Sequence, residues 1–279
     1  MKIIASLVLY RHGYDSVKNT LISLLSEDVI SKVVIVDNGS HCDWLLELKE
    51  SKVEVIQVKE NSGFGAGHNY VFERFFMKTD FFLICNPDIS FRKGEVEKLY
   101  DFCNLGAIDL AIPKIIYPDG SLQFGCKMLP SPYQLFMRRF IPFFKRKLNY
   151  NYELRGADYS RPFFAPSLTG CFMLVGSKVI HDVGFFDTRF FLYLEDVDLS
   201  RRISQKYNVS YCPDALVVHE AQRRSYIDKQ FLFYHITSAI KYFNKWGWIF
   251  DRKKTELNNR CLKTLPKSGN NKVNKIHDK

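Results

Sequence analysis

Short apolar runs alternate with longer amphipathic ones over the first half of the chain, and this restricts the possible folds more than any other feature. Strand-like runs lie at 2–10, 32–37, 53–58, 80–85 and 108–112, with helical patterns over about 15–26, 42–50, 66–77 and 93–103 between them. Strands joined by helix-length crossovers pair in parallel, because a short turn cannot return the chain to the same end of a sheet. In the first helical pattern Val17, Leu21, Leu24 and Leu25 recur at helical spacing, as a helix covering a sheet requires. The class is α/β, and the first half is Rossmann-like.

Open sheets of this kind hold ligands outside the carboxyl ends of their strands. Three polar clusters fall where the strands stop: Asp37-Asn38-Gly39-Ser40, the run from Asn61 through Gly63, Gly65 and Gly67 to Asn69, and Asn86-Pro87-Asp88. All three are expected to face one crevice. The second half is less regular. It reads as a hairpin about Pro118-Asp119-Gly120, a basic aromatic segment, a strand at 170–175, a helix from about 195 to 206, a strand at 209–212 leading into Val217-Val218-His219, and a helical run over about 227–245.

At 279 residues and 46% hydrophobic content the chain has ample material for one core. Residues 1–250 read as one domain and 251–279 as a basic, flexible tail, disordered from about 255. The net charge of +10 is concentrated in two segments. Residues 134–147 hold five bases and no acid, and residues 252–279 hold nine bases against Glu256 and Asp278. Seven cysteines form no CxxC pair and lie mostly in apolar stretches, which argues against a disulfide framework or a zinc cluster and for a reducing compartment. Met1-Lys2 runs directly into a strand pattern, without the features of a signal peptide. The longest uncharged stretch, 162–177, contains two prolines and falls short of a spanning helix, so any membrane contact is expected to be peripheral.

The candidate chemistry lies in four places. Asp88, delivered by an apolar strand to the sheet edge, is a hard oxygen ligand suited to Mg2+ or Mn2+ bridging a diphosphate, although Asn-Pro-Asp is also ordinary turn chemistry. The glycine run could admit a phosphate to the backbone or pack a helix tightly on the sheet. Glu195, Asp196 and Asp198 follow an aromatic run and open a helix. Acids there suit the helix dipole, but adjacent carboxylates repel, and one held in a cleft can serve as a general base. His219, at a strand end, could complete a metal site beside Asp88.

Taken in order, a first strand ending in Tyr10, the run 36–40, Asn61 with 63–69, Asn86-Pro87-Asp88, 170–175, 190–199 and His219 resemble the inverting family 2 glycosyltransferases. The likeness covers about residues 2–225 and points to the bacterial rhamnosyl- and galactofuranosyl-transferase branch. It implies a GT-A fold and a single displacement from a nucleotide diphosphate sugar. Tyr10, Asp37, Asn38, Asn61, Gly63, Gly65, Asn69 and Asn86 would line the nucleotide site, with Asp37 on the pyrimidine. Asp88 and His219 would hold Mg2+ or Mn2+. Asp196 would be the catalytic base, with Glu195 the alternative, and Gly170, Cys171 and Phe172 would frame the sugar and acceptor. The branch has Asn86 where the wider family has the first acid of Asp-x-Asp.

The resemblance further implies dTDP-rhamnose as first donor, with UDP-galactofuranose or another UDP-hexose behind it. The implied acceptor is a lipid-linked saccharide in cell-surface polysaccharide synthesis, such as O-antigen or capsule. The segment 136–147 interleaves aromatics with cations and suits peripheral contact with the cytoplasmic face of a bacterial inner membrane. A nucleic-acid binder would explain the charge alone, and a catalytically silent nucleotide-sugar binder would not explain the acids. No nucleic-acid partner is expected, and the sequence does not set the oligomeric state.

Overall fold

The computed structural model describes residues 1–141, 148–221 and 229–267. Among the described residues there are ten strands: β1 (Ile3–Leu9), β2 (Ile30–Asn38), β3 (Val53–Val58), β4 (Phe81–Cys85), β5 (Ile89–Ser90), β6 (Leu110–Ile116), β7 (Cys126–Lys127), β8 (Ser167–Leu168), β9 (Phe172–Gly176) and β10 (Val209–His219). Eight form one sheet in the order β3-β2-β1-β4-β9-β6-β10-β5, and β7 pairs with β8. Only β9 and β5 run against the other six. Ile3, Ile4, Leu7 and Val33 to Val36 are all buried, as strands covered on both faces by crossover helices must be. The Tyr14–Ser26 helix buries Val17, Leu21 and Leu24, with Leu25 at the margin. All seven cysteines are buried and unbridged.

Several elements differ from the sequence reading, each for a local reason. The helix expected over 42–50 is one 3₁₀ turn, Asp43–Leu46. The Asp37 carboxylate accepts from the backbone N–H groups of His41 and Cys42 at 3.1 and 3.2 Å, and the Trp44 indole donates to His12 O at 2.8 Å, so the segment is pinned before it can wind further. The last strand is continuous from Val209 to His219 but shifts register between Cys212 and Leu216, where Pro213 offers no N–H to the ladder. About 118–120 there is a tight turn closed by Gly120 N to Tyr117 O, with a single Ile116–Leu122 bridge.

The largest correction concerns the tail. Residues expected to be disordered from about 255 instead form the Arg252–Thr264 helix. Asp251 caps it by accepting from Lys254 N at 2.9 Å, and Leu257 and Cys261, one turn apart, are buried. Asn258 exchanges two hydrogen bonds with the backbone of Leu129. A narrow apolar stripe with these polar anchors is enough to dock a helix whose remaining surface is charged. Residues 268–279 lie outside the described part. Among the described residues, no helix is long and apolar enough to cross a membrane.

His68, in the helix Phe64–Phe75, is fully buried beside Phe64, Phe72 and Phe186. Its Nδ1 lies 2.6 Å from Ser6 Oγ. Burial lowers its pKa from 6.5 to about 3, so the folded chain keeps it neutral where the unfolded chain binds a proton. Its stabilisation is therefore complete above pH 6.5 and is lost as pH falls toward 3. Between pH 7 and pH 5 this one group should cost about 2 kcal/mol. Urea unfolding at both pH values should show that extra loss in the wild type and not in His68→Gln; equal losses would remove His68 as the cause.

Candidate active site

From β1 the chain passes to β2 and β3 on one side and then returns to β4 on the other, so a crevice opens at the carboxyl ends of β1 and β4. Tyr10 stands at its edge, with its ring 5.7 Å from that of His41. Asp37 is 2% exposed, and each of its oxygens already holds one backbone amide of the following loop. A carboxylate has about four acceptor positions, so capacity for a further donor remains. Asn38 is a clamp. Its Nδ2 donates to Asn61 Oδ1 and Gly63 O, and its Oδ1 accepts from the amide and hydroxyl of Ser62, all at 3.0 Å. Asn61 Oδ1 also accepts from Gly63 N. Together these bonds fold the 61–63 turn against the end of β2.

The glycine run is explained by packing. Gly63 has φ +92°, and a Cβ there would lie 2.3 Å from the Phe191 carbonyl oxygen. A Cβ on Gly65 would lie 2.7 Å from that of Phe186, and one on Gly67 would lie 2.6 Å from Val8 Cγ1. Asn69 donates to Phe186 O at 2.8 Å and accepts from Phe186 N at 3.0 Å. Gly65 and Asn69, expected at the nucleotide, hold the Phe186 segment to the helix. That close approach requires a missing Cβ and a two-way amide partner.

Asn86 leaves β4 with its N–H bonded to Cys171 O at 2.8 Å. Antiparallel pairing of Ile89-Ser90 with Val218-His219, and a bond from Glu220 N to Asp88 O, bring His219 to Asp88. His219 Nε2 is 3.2 Å from Asp88 Oδ1, yet that buried oxygen has no aligned hydrogen-bond donor. Nδ1 of the same ring lies 2.9 Å from Gln123 Oε1. Burial disfavours charge on His219, but Cys171 and Asp88 outweigh it and lift its pKa to about 10. Burial likewise opposes ionisation of Asp88, and contact with His219 reverses that and lowers its pKa.

An orphaned carboxylate oxygen beside an imidazole nitrogen fits a divalent cation. Two adjacent ligands of one octahedral ion stand about 3 Å apart, and Gln123 fixes the ring from behind as metal-bound histidines require. Among the described residues no group of three His, Cys, Asp or Glu side chains is placed to hold a metal ion. The protein can thus supply two ligands, and Mg2+ ordinarily takes the rest from phosphate and water.

The paired acids at 195 and 196 are separated by environment. Asp196 is partly exposed; its Oδ2 accepts from Gly170 N at 3.0 Å and its Oδ1 from Val197 N at 2.8 Å. Glu195 is buried, with Oε2 lacking any partner. Burial first, and Asp196 second, push its pKa well above the usual carboxylate value, in the direction that favours the neutral acid. The third acid, Asp198, is enclosed by Arg202, Lys245 and Trp246 and is structural. Tyr193 and Leu194 enter this helix with φ of +70° and +65°, a conformation that non-glycine residues adopt at a cost of about 1–2 kcal/mol each. Helix Lys229–Trp246 holds them there: Ser238 Oγ donates to Leu192 O at 2.8 Å, and Tyr234 and His235 pack on Phe191 and Tyr193.

Gly170 lies directly against Asp196, where a Cβ would be 3.0 Å from the Asp196 Cβ. Cys171 is buried beside His219. Phe172, expected to frame the sugar, points into the core against Phe91 instead, because β9 is central in the sheet with both faces covered. Two residues escaped sequence reasoning. Gln123 follows a hairpin turn with no motif around it. Lys127, on the short strand β7, lies near enough to Asp196 for their charges to interact; burial lowers its pKa, but Tyr152 and Asp196 more than offset this and leave it raised.

Residues 7–167, more than half of the chain, match the family described as glycosyl transferase family 2. The chain belongs to that family. Over 218 residues this glycosyltransferase is 29% identical to the N-acetylglucosaminyl-diphospho-decaprenol L-rhamnosyltransferase of Mycobacterium tuberculosis, covering 71% of this chain and 69% of that one. Over 249 residues it is 26% identical to the rhamnosyltransferase WbbL of Escherichia coli, covering 85% and 91%. Among solved structures it resembles GalNAc-T7 with UDP, GalNAc and Mn2+, with TM-score 0.59 and 14% identity over 78% of this chain and 43% of that one. It also resembles Staphylococcus aureus TarS 1-349, with TM-score 0.55 and 17% identity over 78% and 60%. The glycosyltransferase thus spans less than two thirds of either solved chain, and the likeness is one of fold: a GT-A sheet flanked by helices.

Proposed function

We propose that this glycosyltransferase moves rhamnose, from dTDP-rhamnose, onto a hydroxyl of a lipid-linked saccharide during cell-surface polysaccharide synthesis, with inversion at the anomeric carbon. The observation that carries the reading is the pairing of an orphaned Asp88 oxygen and His219 on one wall of the site with a partly exposed Asp196 held by Gly170 N–H. The donor and acceptor classes are supported by the names of the two rhamnosyltransferase relatives. A UDP-hexose or UDP-galactofuranose is the second choice of donor.

In this reading Asp88 and His219 would hold Mg2+ or Mn2+, with Gln123 orienting the imidazole through Nδ1. The cation, when bound, neutralises the departing nucleotide diphosphate. Asp196 takes the acceptor proton as the acceptor oxygen bonds to the anomeric carbon and the bond to the diphosphate oxygen breaks. Lys127 adds positive charge beside Asp196. Tyr10, Asp37 and Asn61 bound the nucleotide side, and Asn38 keeps that side in shape. Stabilisation of the leaving group is the larger electrostatic contribution, and the base adds about 10²–10⁴-fold.

Membrane contact is part of the same proposal. Tyr133 and Phe136 project from the Pro132–Phe140 helix, while 142–147, the more basic part of the expected docking segment 136–147, lie outside the described residues.

The deciding experiment is thermal unfolding against a panel of nucleotide diphosphates and nucleotide sugars, with and without Mn2+, for wild type and Asp88→Ala. A Mn2+-dependent rise in melting temperature for thymidine nucleotides in the wild type, absent from Asp88→Ala, is expected, because a ligand of the folded state alone stabilises it. A rise for uridine nucleotides alone would transfer the donor assignment to UDP sugars. No rise with any nucleotide would overturn the reading.

A further inference from the structure

The C-terminal helices carry an apolar surface that neither the fold nor the active site uses. On the Lys229–Trp246 helix Ser238 and Tyr242 are buried on the inward side, while Phe233, Ile236 and Ile240, spaced three and four apart, stay exposed, and Phe243, next on their stripe, is covered by Trp248 with ring centres 5.3 Å apart. The helix stops at Gly247, with φ +104°, and the turn that follows exposes Trp248, Ile249 (80%) and Phe250 (92%) before Asp251 starts the next helix. Isolated exposed apolar residues are ordinary, but a run that includes Phe and Ile at these exposures marks an interaction surface.

Charge identifies the occupant. From Lys229 to Lys267 there are nine Lys and Arg residues and only two acids, Asp251 and Glu256. Asp251 is paired with the buried Arg201, and Glu256 with Arg252 and Lys253. Lys245 is paired in addition with Asp187 and Asp198, yet the bases of this segment still outnumber the acids that meet them, as on helices that lie in the plane of a bilayer with lysines extended to the headgroups. Trp248 has the amphipathic ring that favours that depth. A second copy of the chain would set one cationic field against another, whereas anionic lipid complements both apolar and charged parts.

We infer that Phe233, Ile236 and Ile240 with the Trp248-Ile249-Phe250 turn form a docking surface for an anionic lipid bilayer. This deepens the peripheral-membrane part of the proposed function and assigns it to a surface distinct from 136–147. The opposite face of the same helix holds Phe191 and Leu192 in the strained loop that leads to Asp196. Docking therefore sets that loop about one helix diameter, ~10 Å, from the headgroups, where the sugar of a lipid-linked acceptor is presented.

The test is co-sedimentation of the full chain with phosphatidylcholine vesicles, with and without phosphatidylglycerol. Wild type is compared with the double variant Ile249→Asp/Phe250→Asp and with Leu105→Asp, a control at another exposed apolar site (84%). Wild type should bind the anionic vesicles, more weakly as salt rises. The double variant should lose at least about 10-fold in partitioning, and Leu105→Asp should bind as wild type does. Absence of wild-type binding, or undiminished binding by the double variant, would overturn the assignment. So would a soluble dimer, seen by light scattering, that the double variant dissociates, since the surface would then serve self-association. The nucleotide thermal shift measured on the same samples separates the two readings: vesicle binding needs no donor, and donor binding needs no vesicle.

Discussion

Replacing Asp196 by asparagine should lower kcat by about 10²–10⁴-fold, with unfolding free energy changed by no more than about 1 kcal/mol. The amide oxygen can still accept from Gly170 N or Val197 N, so the helix entrance keeps most of its bonds while the proposed base is gone. Glu195→Gln is the matching control. Glu195 is buried, with burial and Asp196 both raising its pKa, and a neutral amide of the same shape should leave kcat nearly unchanged. The assay uses the donor selected by thermal shift, and circular dichroism and urea unfolding confirm that both variants fold. If Glu195→Gln proved as damaging as Asp196→Asn, the division of roles between the two acids would be wrong.

That division shows where sequence and structure part company. The order of polar clusters at strand ends was legible because the sheet is built from local signals: buried β-branched strands, amphipathic crossovers and a carbonyl edge where each strand must stop. The roles within each cluster were not, because they depend on which neighbour arrives from elsewhere in the chain. Asn69 reads as a nucleotide-site residue, and only the structure shows that Phe186, 117 residues away in sequence, uses both ends of its amide. Asp196 and Glu195 are indistinguishable by spacing, and burial alone tells them apart. Gln123 could not have been named, since its value rests on a histidine 96 residues further along. The Arg252–Thr264 helix was missed because its composition is that of a solvated segment, and what orders it is a set of partners at Leu129 and Arg201.

Those partners give the second large effect. Arg201 sits five residues beyond Asp196 on the Glu195–Ser204 helix and is 1% exposed. Its guanidinium donates to both oxygens of Asp251 at 2.6 and 2.7 Å and to the Tyr242 hydroxyl at 3.2 Å, and it lies 3.9 Å from the Trp246 ring centre. Arg201→Met leaves the Asp251 carboxylate without its counter-charge, and Asp251→Asn leaves a buried guanidinium without its own. Each should cost about 3–5 kcal/mol, since removing one member of a buried pair strands the other. Asparagine at 251 can still accept from Lys254 N, so the loss measures the ion pair and not the helix cap. The double variant should lose less than the sum by about 1–3 kcal/mol, because neither charge is then stranded. Urea unfolding of the four proteins checks this, and strict additivity would mean that the two residues are not coupled. Since the same contacts join the C-terminal helices to the helix that carries Asp196, the single variants should also lower kcat at temperatures well below unfolding. A chain truncated before Asp251 should show both losses together.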